Sequence, residues 1–539
     1  MAEKVVVFGG GPVGLMALKN LREDGFDAIL LERRPYVGGL WKQSSDSTIS
    51  VTEHTMFNTS RFRAGISDFP LPPDTPDYPS AKDLHQYFDR YCDHFELWPH
   101  IKLEAEVVGL YRERGRWAVE VQYTEEKKVE YFDKVLCATG SMVIPKQPKL
   151  EGVEKFEGSV IHAVDFPQPA ELESRYGGQN VLLIGLSATA QDVITDLSGY
   201  AKKIYVTHRA GVLLTPRYLD NGSTSDQTQS LSFLFVQIFL STYFPTIFNM
   251  IANSVLLKMH KKNFPDIPDS WNFLPAPSIA SSPPLIADAF YRHVQSGFAE
   301  AVPEHIRVTG PKSIELKGGR VLNDIDSIVF CTGYDFAVPC MPAEYNPYSK
   351  VGETPYLYRN MFPLHEDPAV RNSLAFLGQA ATAVPGFAQF ELGGMAVSQV
   401  WKGNFTLPPF EEMKDWHRRQ QAWRQDIISK QAIRSRFHVA FMPPVHLQWL
   451  DKAAGTGVFE RFGWFKWRAW QLWWKDRELY KLCLSGVLTP AIWRLFDTGK
   501  RKAWSGARAQ VVDDNLLAKK RREEKVKADN LLRAKPKAD

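Results

Sequence analysis

The chain has 539 residues, of which 23% are charged and 44% are hydrophobic, and its formal net charge is +4. This length is enough for about three or four domains, and the nearly balanced charge gives no reason to expect a nucleic-acid partner. Five scattered cysteines form no C-x-x-C pair and no metal-ligand spacing, which argues against a redox-active disulfide and against a metal site. We therefore expect a multidomain globular protein of a reducing compartment.

The first forty residues predict a dinucleotide-binding βαβ unit. A buried apolar strand runs into the turn Gly9-Gly10-Gly11-Pro12-Val13-Gly14, and a helical pattern follows. Gly9 permits the sharp turn, Gly11 lets the backbone approach a pyrophosphate, and Gly14 allows the helix to pack closely on the strand. The next strand ends in Glu32, where an acid accepts hydrogen bonds from ribose hydroxyls and repels a 2′-phosphate. This unit therefore suits FAD or NAD and not NADP.

A second βαβ unit begins near residue 180. Its strand turns at Gly185-Leu186-Ser187-Ala188-Thr189-Ala190, which keeps small residues where the backbone must come close. The following strand ends at His208-Arg209, at the same offset from its turn that Glu32 has from the first turn. An arginine here can bind a 2′-phosphate bidentately, and no acid repels that phosphate. We predict NADPH as the second nucleotide; the alternative is an ordinary arginine on a solvated strand end.

The stretch from Leu231 to Leu257 contains no charged residue and is dense in aromatic side chains. Its length would permit a membrane span, but Pro245 breaks it, and the domain it interrupts must lie on one side of any bilayer. We predict peripheral membrane association and leave open a substrate-channel wall or a homodimer face. Because the chain enters its first strand within four residues, we expect a cytoplasmic protein, or one placed peripherally on the cytosolic face of a membrane.

Two further features lie near the C-terminus. Five tryptophans between Trp464 and Trp474 fall largely on one helical face. We predict that they pack in a core, with a membrane-interface belt as the alternative. The segment from Lys519 onward is rich in Lys, Arg and Glu, which predicts a frayed helix or a disordered tail.

Together these elements predict an α/β protein with two dinucleotide-binding, Rossmann-like domains. Two strands end in Thr-Gly, at Thr139-Gly140 and at Thr332-Gly333, where we expect the chain to pass between the domains. The predicted FAD domain is discontinuous and comprises residues 1–172 and 326–445. The NADPH domain comprises residues 173–325 with an apolar insertion at about 215–265, and a helical region 446–518 and a charged tail 519–539 complete the chain.

Longer motifs extend over nearly the whole chain. They are Phe156-x-Gly158-x-x-x-His162-x-x-x-Phe166, Gly38-Gly39-Leu40-Trp41-Lys42, Phe57-Asn58-Thr59-Ser60, Ser67-Asp68-Phe69-Pro70, Cys331-Thr332-Gly333-Tyr334 and Trp504-Ser505-Gly506-Ala507-Arg508. In combination they resemble the flavin-containing monooxygenases of the eukaryotic kind. The resemblance implies an enzyme that reduces FAD with NADPH, adds O2 to form a flavin hydroperoxide and transfers one oxygen atom to an amine nitrogen or a sulfur of a small molecule.

The resemblance also assigns individual residues. Asn58 matches the family's active-site Asn, whose amide is expected to position NADP⁺ and the flavin hydroperoxide; the alternative is a simple turn former. His162 we interpret as a structural residue between the domains. The predicted cofactor contacts are Gly9, Gly11, Pro12, Val13, Gly14, Glu32, Gly39, Leu40, Trp41, Asn58, Thr139, Gly140, Gly185, Ser187, Ala188, Thr189, Ala190, His208, Arg209, Thr332 and Gly333.

Three departures from the family pattern keep alternatives open. Ser187 and Ala190 replace two glycines of the second turn, and Ala381 stands where the animal enzymes carry a Gln near the flavin. The fingerprint ends in Phe166-Pro167, partway to the Trp-Pro of Baeyer–Villiger enzymes, so oxygenation of a ketone or aldehyde is the runner-up chemistry. A non-catalytic regulatory scaffold is the alternative of another class, but it would be expected to lose the nucleotide-binding glycines that this chain retains.

Overall fold

The computed structural model describes residues 2–46, 48–140, 142–280, 282–379, 381–382, 386–429 and 441–534. The side chain of Ala381 and the last five residues of the predicted tail, 535–539, lie outside the described part.

The strands are distributed over the chain from the first residues to the region before the C-terminal helices. In chain order they are β1 Lys4–Phe8, β2 Asp27–Leu31, β3 Ile101–Lys102, β4 Glu106–Glu113, β5 Arg116–Gln122, β6 Lys127–Phe132, β7 Lys134–Cys137, β8 Met142–Pro145, β9 Ser159–His162, β10 Asn180–Ile184, β11 Lys203–Thr207, β12 Leu214–Thr215, β13 Leu285–Ile286, β14 Ala299–Val302, β15 His305–Gly310, β16 Ser313–Leu316, β17 Val321–Leu322, β18 Ser327–Phe330, β19 Tyr334–Phe336, β20 Leu357–Tyr358, β21 Phe362–Pro363, β22 Leu374–Phe376, β23 Ala381–Thr382 and β24 Phe441–Met442.

The helices are concentrated around the sheets and in the C-terminal third. They are α1 Pro12–Glu23, α2 Arg61–Ala64, α3 Ala81–His94, α4 Leu172–Tyr176, α5 Ala188–Asp196, α6 Leu231–Tyr243, α7 Pro245–Asn263, α8 Asp288–Gln295, α9 Pro368–Arg371, α10 Ala388–Trp401, α11 Phe410–Ser429, α12 His446–Ala454, α13 Val458–Phe462, α14 Trp467–Lys475, α15 Arg477–Ser485 and α16 Ala507–Ala534.

The first sheet is fully parallel and has the order β22-β7-β1-β2-β3. Its central strand β1 is apolar and buried on both faces, as expected where helices or a second layer cover each side of a parallel sheet. One face carries α1, α3 and α10, and the other carries the antiparallel sheet β4-β5-β6 with Trp117 at its centre. The predicted α/β class is confirmed.

The second sheet is also parallel and has the order β14-β11-β10-β18-β9. Two of its strands, β9 and β18, lie outside the range 173–325 predicted for this domain. Their membership of the sheet depends on pairing between distant segments, which no local pattern reveals. We therefore propose that the NADPH domain extends from about residue 150 to about residue 333.

Two connections join the domains, and they pair with each other. β8 leaves the first domain and β19 returns to it, and the two strands form an antiparallel pair. His162 lies beside them: its Nε2 is 3.1 Å from the carbonyl oxygen of Gly333, and its Nδ1 accepts a hydrogen bond from the backbone N–H of Val164. These contacts agree with the structural role expected for His162.

The five tryptophans between Trp464 and Trp474 do not pack in a core, so the prediction that they would is wrong. Trp467 is 74% exposed and Trp474 is 78% exposed, whereas the buried residue of α14 is Ala469. A helical stripe of tryptophans has the same spacing whether it faces protein or solvent, which is why the sequence alone favoured the commoner arrangement. No described helix is both long enough and apolar enough to cross a bilayer.

The predicted tail is helical as far as it is described. α16 continues through Lys519 to Ala534 as one helix of 28 residues. Most of its exposed positions are charged, although Leu516 and Leu531 are exposed too, and apolar residues such as Val511 and Ala518 are buried. The composition that suggested disorder is therefore that of a long helix with one narrow packing face.

A buried group of charges fastens the C-terminal region to α1. Arg494 is 4% exposed, and its Nη2 lies 2.6 Å from Asp68 Oδ2 and 2.7 Å from Glu23 Oε1. Lys19 on α1 contacts the same Asp68 carboxylate. Nearby, Arg501 pairs with Asp24 at 2.8 Å, and both side chains are buried. Each buried charge thus has an opposite charge within hydrogen-bond distance, as burial requires.

Replacing Arg494 by Met should destabilise the protein strongly. The substitution keeps the apolar volume but leaves Asp68 and Glu23 with less compensation in a place that excludes water, at a cost of about 3 kcal/mol or more. Arg508→Met is the matched control, because the Arg508 side chain is 56% exposed and pairs with Asp476 at the surface. Denaturant unfolding followed by tryptophan fluorescence measures both; equal midpoints for the two variants would contradict the expectation.

Candidate cofactor and active site

The first glycine turn has no space for a side chain at Gly9 or at Gly14. Gly9 has φ +99°, and a Cβ there would lie 2.8 Å from the carbonyl oxygen of Ala138. A Cβ on Gly14 would lie 1.9 Å from the carbonyl oxygen of Gly9, so only glycine permits this approach of α1 to β1. Gly11 is the N-cap of α1 and supplies no side-chain cap. Pro12 begins the helix and has no backbone N–H, so the free N–H groups of Val13 and Gly14 are the donors in the first turn that suit an anionic ligand.

The second glycine turn meets the first. A Cβ on Gly39, which has φ +59°, would lie 2.9 Å from the Cα of Gly11. Gly39 begins the short 3-10 turn Gly39–Trp41, which includes Leu40. Arg34 holds this turn, since its Nη1 donates to the carbonyl oxygen of Gly39 at 3.0 Å. Arg34 was not predicted as a site residue, because its only signal in the sequence was its position two residues after Glu32.

Glu32 lies at the end of β2, beside the first turn, and is buried. Its Oε2 accepts a hydrogen bond from the N–H of Gly10 at 2.5 Å, and its Oε1 accepts one from the N–H of Arg34 at 2.8 Å. These bonds fix the carboxylate next to the glycine turn. Each carboxylate oxygen can accept further hydrogen bonds, so the group still fits the hydroxyls of a ribose.

The second nucleotide unit has the same shape with different residues. Gly185 has φ +107°, and a Cβ there would lie 2.6 Å from the carbonyl oxygen of Cys331. Ser187 is the N-cap of α5 and has φ −149°, an extended backbone that requires no glycine. Ala190 is buried in the core of this domain, and Ala188 and Thr189 form the first turn of α5. The turn thus keeps an uncapped helix start although two glycines are replaced.

The basic pair after β11 is divided between two roles. His208 has Nδ1 2.8 Å from the carbonyl oxygen of Ala210 and Nε2 2.8 Å from that of Trp271. Its ring therefore anchors the loop around Trp271. Because both ring nitrogens are occupied, Arg209 is the member of the pair that can contact a phosphate. Arg209 is exposed and makes no hydrogen bond or ion pair with the described residues.

The segment around residues 52–58 bridges the two nucleotide units. On one side Thr55 Oγ1 donates to Asp192 Oδ2 of α5 at 2.9 Å, and His54 Nδ1 lies 2.6 Å from Asp196 Oδ1 of the same helix. Burial raises the pKa of Asp192 to about 7. On the other side the ring of Phe57 packs edge-on against Trp41 of the second glycine turn, with centroids 4.9 Å apart.

Asn58 lies on this bridge with its side chain exposed. Its Oδ1 accepts a hydrogen bond from Thr59 Oγ1 at 3.3 Å, while its Nδ2 donates to none of the described residues. The backbone on both sides is held: Arg217 Nη1 donates to the carbonyl oxygen of Phe57 at 3.3 Å, and the N–H of Ser60 donates to Asp226 Oδ2 at 2.8 Å. The geometry therefore presents one free amide donor from a fixed backbone.

The two Thr-Gly corners lie where the chain passes between the domains. Gly140 and Gly333 have φ +78° and +75°, and a Cβ on either would meet no atom within 4 Å. Thr332 Oγ1 donates to the carbonyl oxygen of Lys146, and Thr139 Oγ1 lies 3.5 Å from the Cys137 sulfur. The predicted site residues thus lie in the glycine turns at Gly9, Gly39 and Gly185, directly after β2 and β11, on the bridge and at these corners.

The chain matches the family described as flavin-binding monooxygenase-like over residues 2–531. It belongs to this family. Monooxygenase aurF of Gibberella zeae is 33% identical over 527 residues, which cover 95% of this chain and 97% of the relative. Flavin-containing monooxygenase 5 of Homo sapiens is 25% identical over 527 residues, which cover 95% and 92% of the two chains. The protein is therefore an FAD-dependent monooxygenase, and FAD and NADPH are the cofactors.

Solved structures show the same fold at low identity. S-allyl-L-cysteine S-oxygenase from Allium sativum superposes with a TM-score of 0.59 at 18% identity, over 89% of this chain and 99% of that chain. A cyclohexanone monooxygenase mutant from Rhodococcus sp. Phi1, bound to NADP⁺, gives a TM-score of 0.62 at 18% identity, over 85% and 97%. This chain therefore shares its overall fold with both of these solved structures.

Replacing Arg209 by Ala should reduce the preference for NADPH over NADH. The side chain is the exposed cation at the corner where the first unit has Glu32, and loss of one charge-assisted phosphate contact costs about 1.5–3 kcal/mol, or about ten- to a hundredfold in selectivity. Steady-state kinetics with both coenzymes measures it. Arg292→Ala removes an exposed arginine from α8 of the same domain and should leave the ratio unchanged. An unaltered ratio in Arg209→Ala would exclude Arg209 as the phosphate contact.

Proposed function

We propose that this monooxygenase transfers one oxygen atom of O2 to a soft nucleophile, an amine nitrogen or a sulfur, of a small molecule. The observation that carries the proposal is Asn58: a single free amide donor that lies between the FAD turn and α5 of the NADPH domain. Bound FAD supplies the activation of O2 with electrons from NADPH. The balance is NADPH + H⁺ + O2 + substrate giving NADP⁺ + H2O + oxygenated substrate.

The residues of the chain bind, orient and exclude water. The uncapped N-termini of α1 and α5 would bind the diphosphates of FAD and NADPH. Glu32 would accept a hydrogen bond from a free ribose 2′-hydroxyl, whereas Arg209 would bind a ribose that carries a 2′-phosphate. Phe57 and Trp41, together with Phe387 stacked on Phe57 at 5.2 Å, form an apolar wall beside Asn58. This wall would exclude water on the side that it covers, and the Asn58 amide would offer a fixed hydrogen-bond donor beside it.

Replacing Asn58 by Ala should uncouple the enzyme without preventing its reduction. The backbone bonds of Phe57 and Ser60 do not involve the Asn58 side chain, so FAD binding and the rate of reduction by NADPH should stay unchanged. Loss of a hydrogen bond worth about 1–3 kcal/mol should increase the loss of activated oxygen as hydrogen peroxide about five- to a hundredfold. The ratio of hydrogen peroxide formed to NADPH oxidised measures this effect.

The substrate class is tested with the wild-type enzyme. Amines, thioethers and ketones are screened for stimulated NADPH oxidation together with an oxygenated product. An N-oxide or sulfoxide supports the proposal, whereas an ester formed from a ketone would replace it by Baeyer–Villiger chemistry. If Asn58→Ala stays tightly coupled, Asn58 is a turn residue and the oxygen is held elsewhere.

We further propose that the protein associates peripherally with a membrane through one apolar surface, formed by α6, α7 and α14. Phe465, just before α14, is 97% exposed. The ring of Phe235 on α6 lies 6.2 Å from the ring of Trp464, so the insertion contacts the segment just before α14. The other exposed large side chains of this surface are Phe233, Val236, Phe239, Tyr243, Phe244, Ile247, Met250, Ile251, Val255, Trp467, Trp470 and Trp474.

Basic residues border this apolar surface. α7 carries Lys261 and Lys262 in its last turn, and α14 ends in Lys475. Exposed aromatic rings next to cations suit the boundary between acyl chains and anionic headgroups. The exposed apolar side chains are also contiguous along α6 and α7, whereas single exposed apolar residues are scattered over ordinary surfaces. A contiguous apolar patch indicates an interaction site.

Vesicle flotation tests this surface. The wild-type protein should float with vesicles that contain anionic phospholipid, and Phe465→Ser combined with Trp474→Ser should lower the bound fraction about tenfold, because two large apolar side chains no longer insert. Trp98→Ser is the matched control, since Trp98 is a partly exposed tryptophan outside the surface. A wild-type protein that stays with the buffer and elutes as a dimer would show that the surface joins two copies instead.

A further inference from the structure

Three segments that are distant in sequence meet at one carboxylate, that of Asp77. Asp77 lies in the loop that precedes α3, and its Oδ1 accepts a hydrogen bond from Arg521 Nη1 of α16 at 3.0 Å. Its Oδ2 accepts one from the hydroxyl of Tyr218, in the segment before α6, at 3.1 Å. The loop of the FAD domain, the C-terminal helix and the insertion are thus tied at a single point.

The Arg521 guanidinium makes three hydrogen bonds at this point. Its Nη2 donates to the carbonyl oxygens of Pro73 and Thr75, each at 3.0 Å. The side chain of Arg521 is 21% exposed and that of Asp77 is 12% exposed, so water screens the pair less than it screens a surface pair. A planar donor that forms three hydrogen bonds has little freedom of position, which fixes α16 against the loop.

α16 also contacts the insertion directly. The ammonium of Lys525 lies 5.0 Å from the centre of the Tyr218 ring. Gly222 has φ +78°, and a Cβ there would lie 2.5 Å from the carbonyl oxygen of Arg522. The backbone of the insertion therefore touches the backbone of α16, and the helix covers the turn at Gly222.

The insertion in turn holds both sides of Asn58. Arg217, next to Tyr218, donates to the carbonyl oxygen of Phe57, and Tyr78, next to Asp77, donates to the carbonyl oxygen of Arg217 at 2.5 Å. Asp226 accepts from the N–H of Ser60. The contacts therefore run without interruption from α16 through Asp77 and Tyr218 to the backbone that carries the free amide.

We propose that Arg521 is a positioning residue for oxygenation: through Asp77 it keeps the segment 217–226 seated on the backbone around Asn58. The proposal rests on the proposed function, because its measure is how much activated oxygen reaches the substrate. When Arg521 is lost, Tyr218 and Arg217 lose a fixed support, and the segment moves away from Phe57 and Ser60 part of the time. The Asn58 amide is then out of position part of the time, and oxygen leaves as hydrogen peroxide.

The experiment compares full-length holoenzymes. Arg521→Ala should bind FAD and be reduced by NADPH as the wild type is, while the ratio of hydrogen peroxide to NADPH oxidised rises about three- to tenfold, a smaller effect than in Asn58→Ala because Arg521 acts on the amide only through the segment 217–226. Hydrogen exchange of residues 217–226 should become faster in the same variant. Lys520→Ala is the matched control. It removes the same charge at the residue next to Arg521, and the Lys520 side chain is 72% exposed.

Two further variants separate positioning from folding. Arg521→Lys retains the charge opposite Asp77 and should recover part of the coupling. Tyr218→Phe cuts the link on the other side of Asp77 and should uncouple by itself, and the double variant Arg521→Ala/Tyr218→Phe should be no worse than the more affected single variant, because both act through one carboxylate. Additive effects would overturn the proposal, as would unchanged exchange of residues 217–226 in Arg521→Ala.

The outcomes for the two proposals differ. A wild-type enzyme that oxygenates no amine or sulfur compound contradicts the proposed function, yet faster exchange of residues 217–226 in Arg521→Ala still supports the link from α16. A well-coupled wild type with an equally coupled Arg521→Ala contradicts the positioning role and leaves the proposed function intact.

Discussion

Arg494 carries a positive charge into a region from which water is excluded, and two carboxylates make that burial tolerable. Burial lowers the pKa of its guanidinium, but Asp68 and Glu23 outweigh it and hold the pKa above its usual value. Burial likewise raises the pKa of Asp68, and Lys19 and Arg494 bring it below normal. The charges can be buried only together. Because Glu23 and Lys19 belong to α1, the C-terminal region is fixed to the helix whose N-terminus faces the nucleotide.

This attachment sets the position of everything that follows Arg494 in the chain. α16 begins at Ala507 and extends 28 residues, long enough to run from the buried charges to Asp77 in the FAD domain. The segment Ser67-Asp68 takes part at the other end, since Glu391 accepts hydrogen bonds from the N–H and the hydroxyl of Ser67. Burial, with the nearby charge of Asp68, raises the pKa of Glu391 to about 7. The motif around residue 68 therefore serves structure and lies away from the glycine turns.

The sequence was most informative where structure is local. The turn from Gly9 to Gly14 needs small residues within one strand–helix unit, so spacing alone predicted it, and Glu32 follows at a fixed offset. Contacts between distant segments left no such pattern: the pairing of β9 with β18 and the meeting of Arg521 with Tyr218 at Asp77. The tryptophan stripe was misread because helical spacing does not say which side a core lies on. Asn58 was found only through resemblance to a family.

The part of the apolar surface that α6 and α7 form follows directly in sequence on the segment 217–226, which holds the backbone around Asn58. Ser230 caps the first turn of α6, whose outward side chains are apolar, and Gln229 directly before it accepts a hydrogen bond from Arg63 at 2.6 Å. Asp226, three residues earlier, holds the backbone beside Asn58. A displacement of α6 at the surface therefore pulls on the contacts that hold the backbone on both sides of Asn58, unless the link between α16 and Asp77 resists it. An insertion that exposes this much apolar surface needs such a second support, because packing on its outer side cannot supply one.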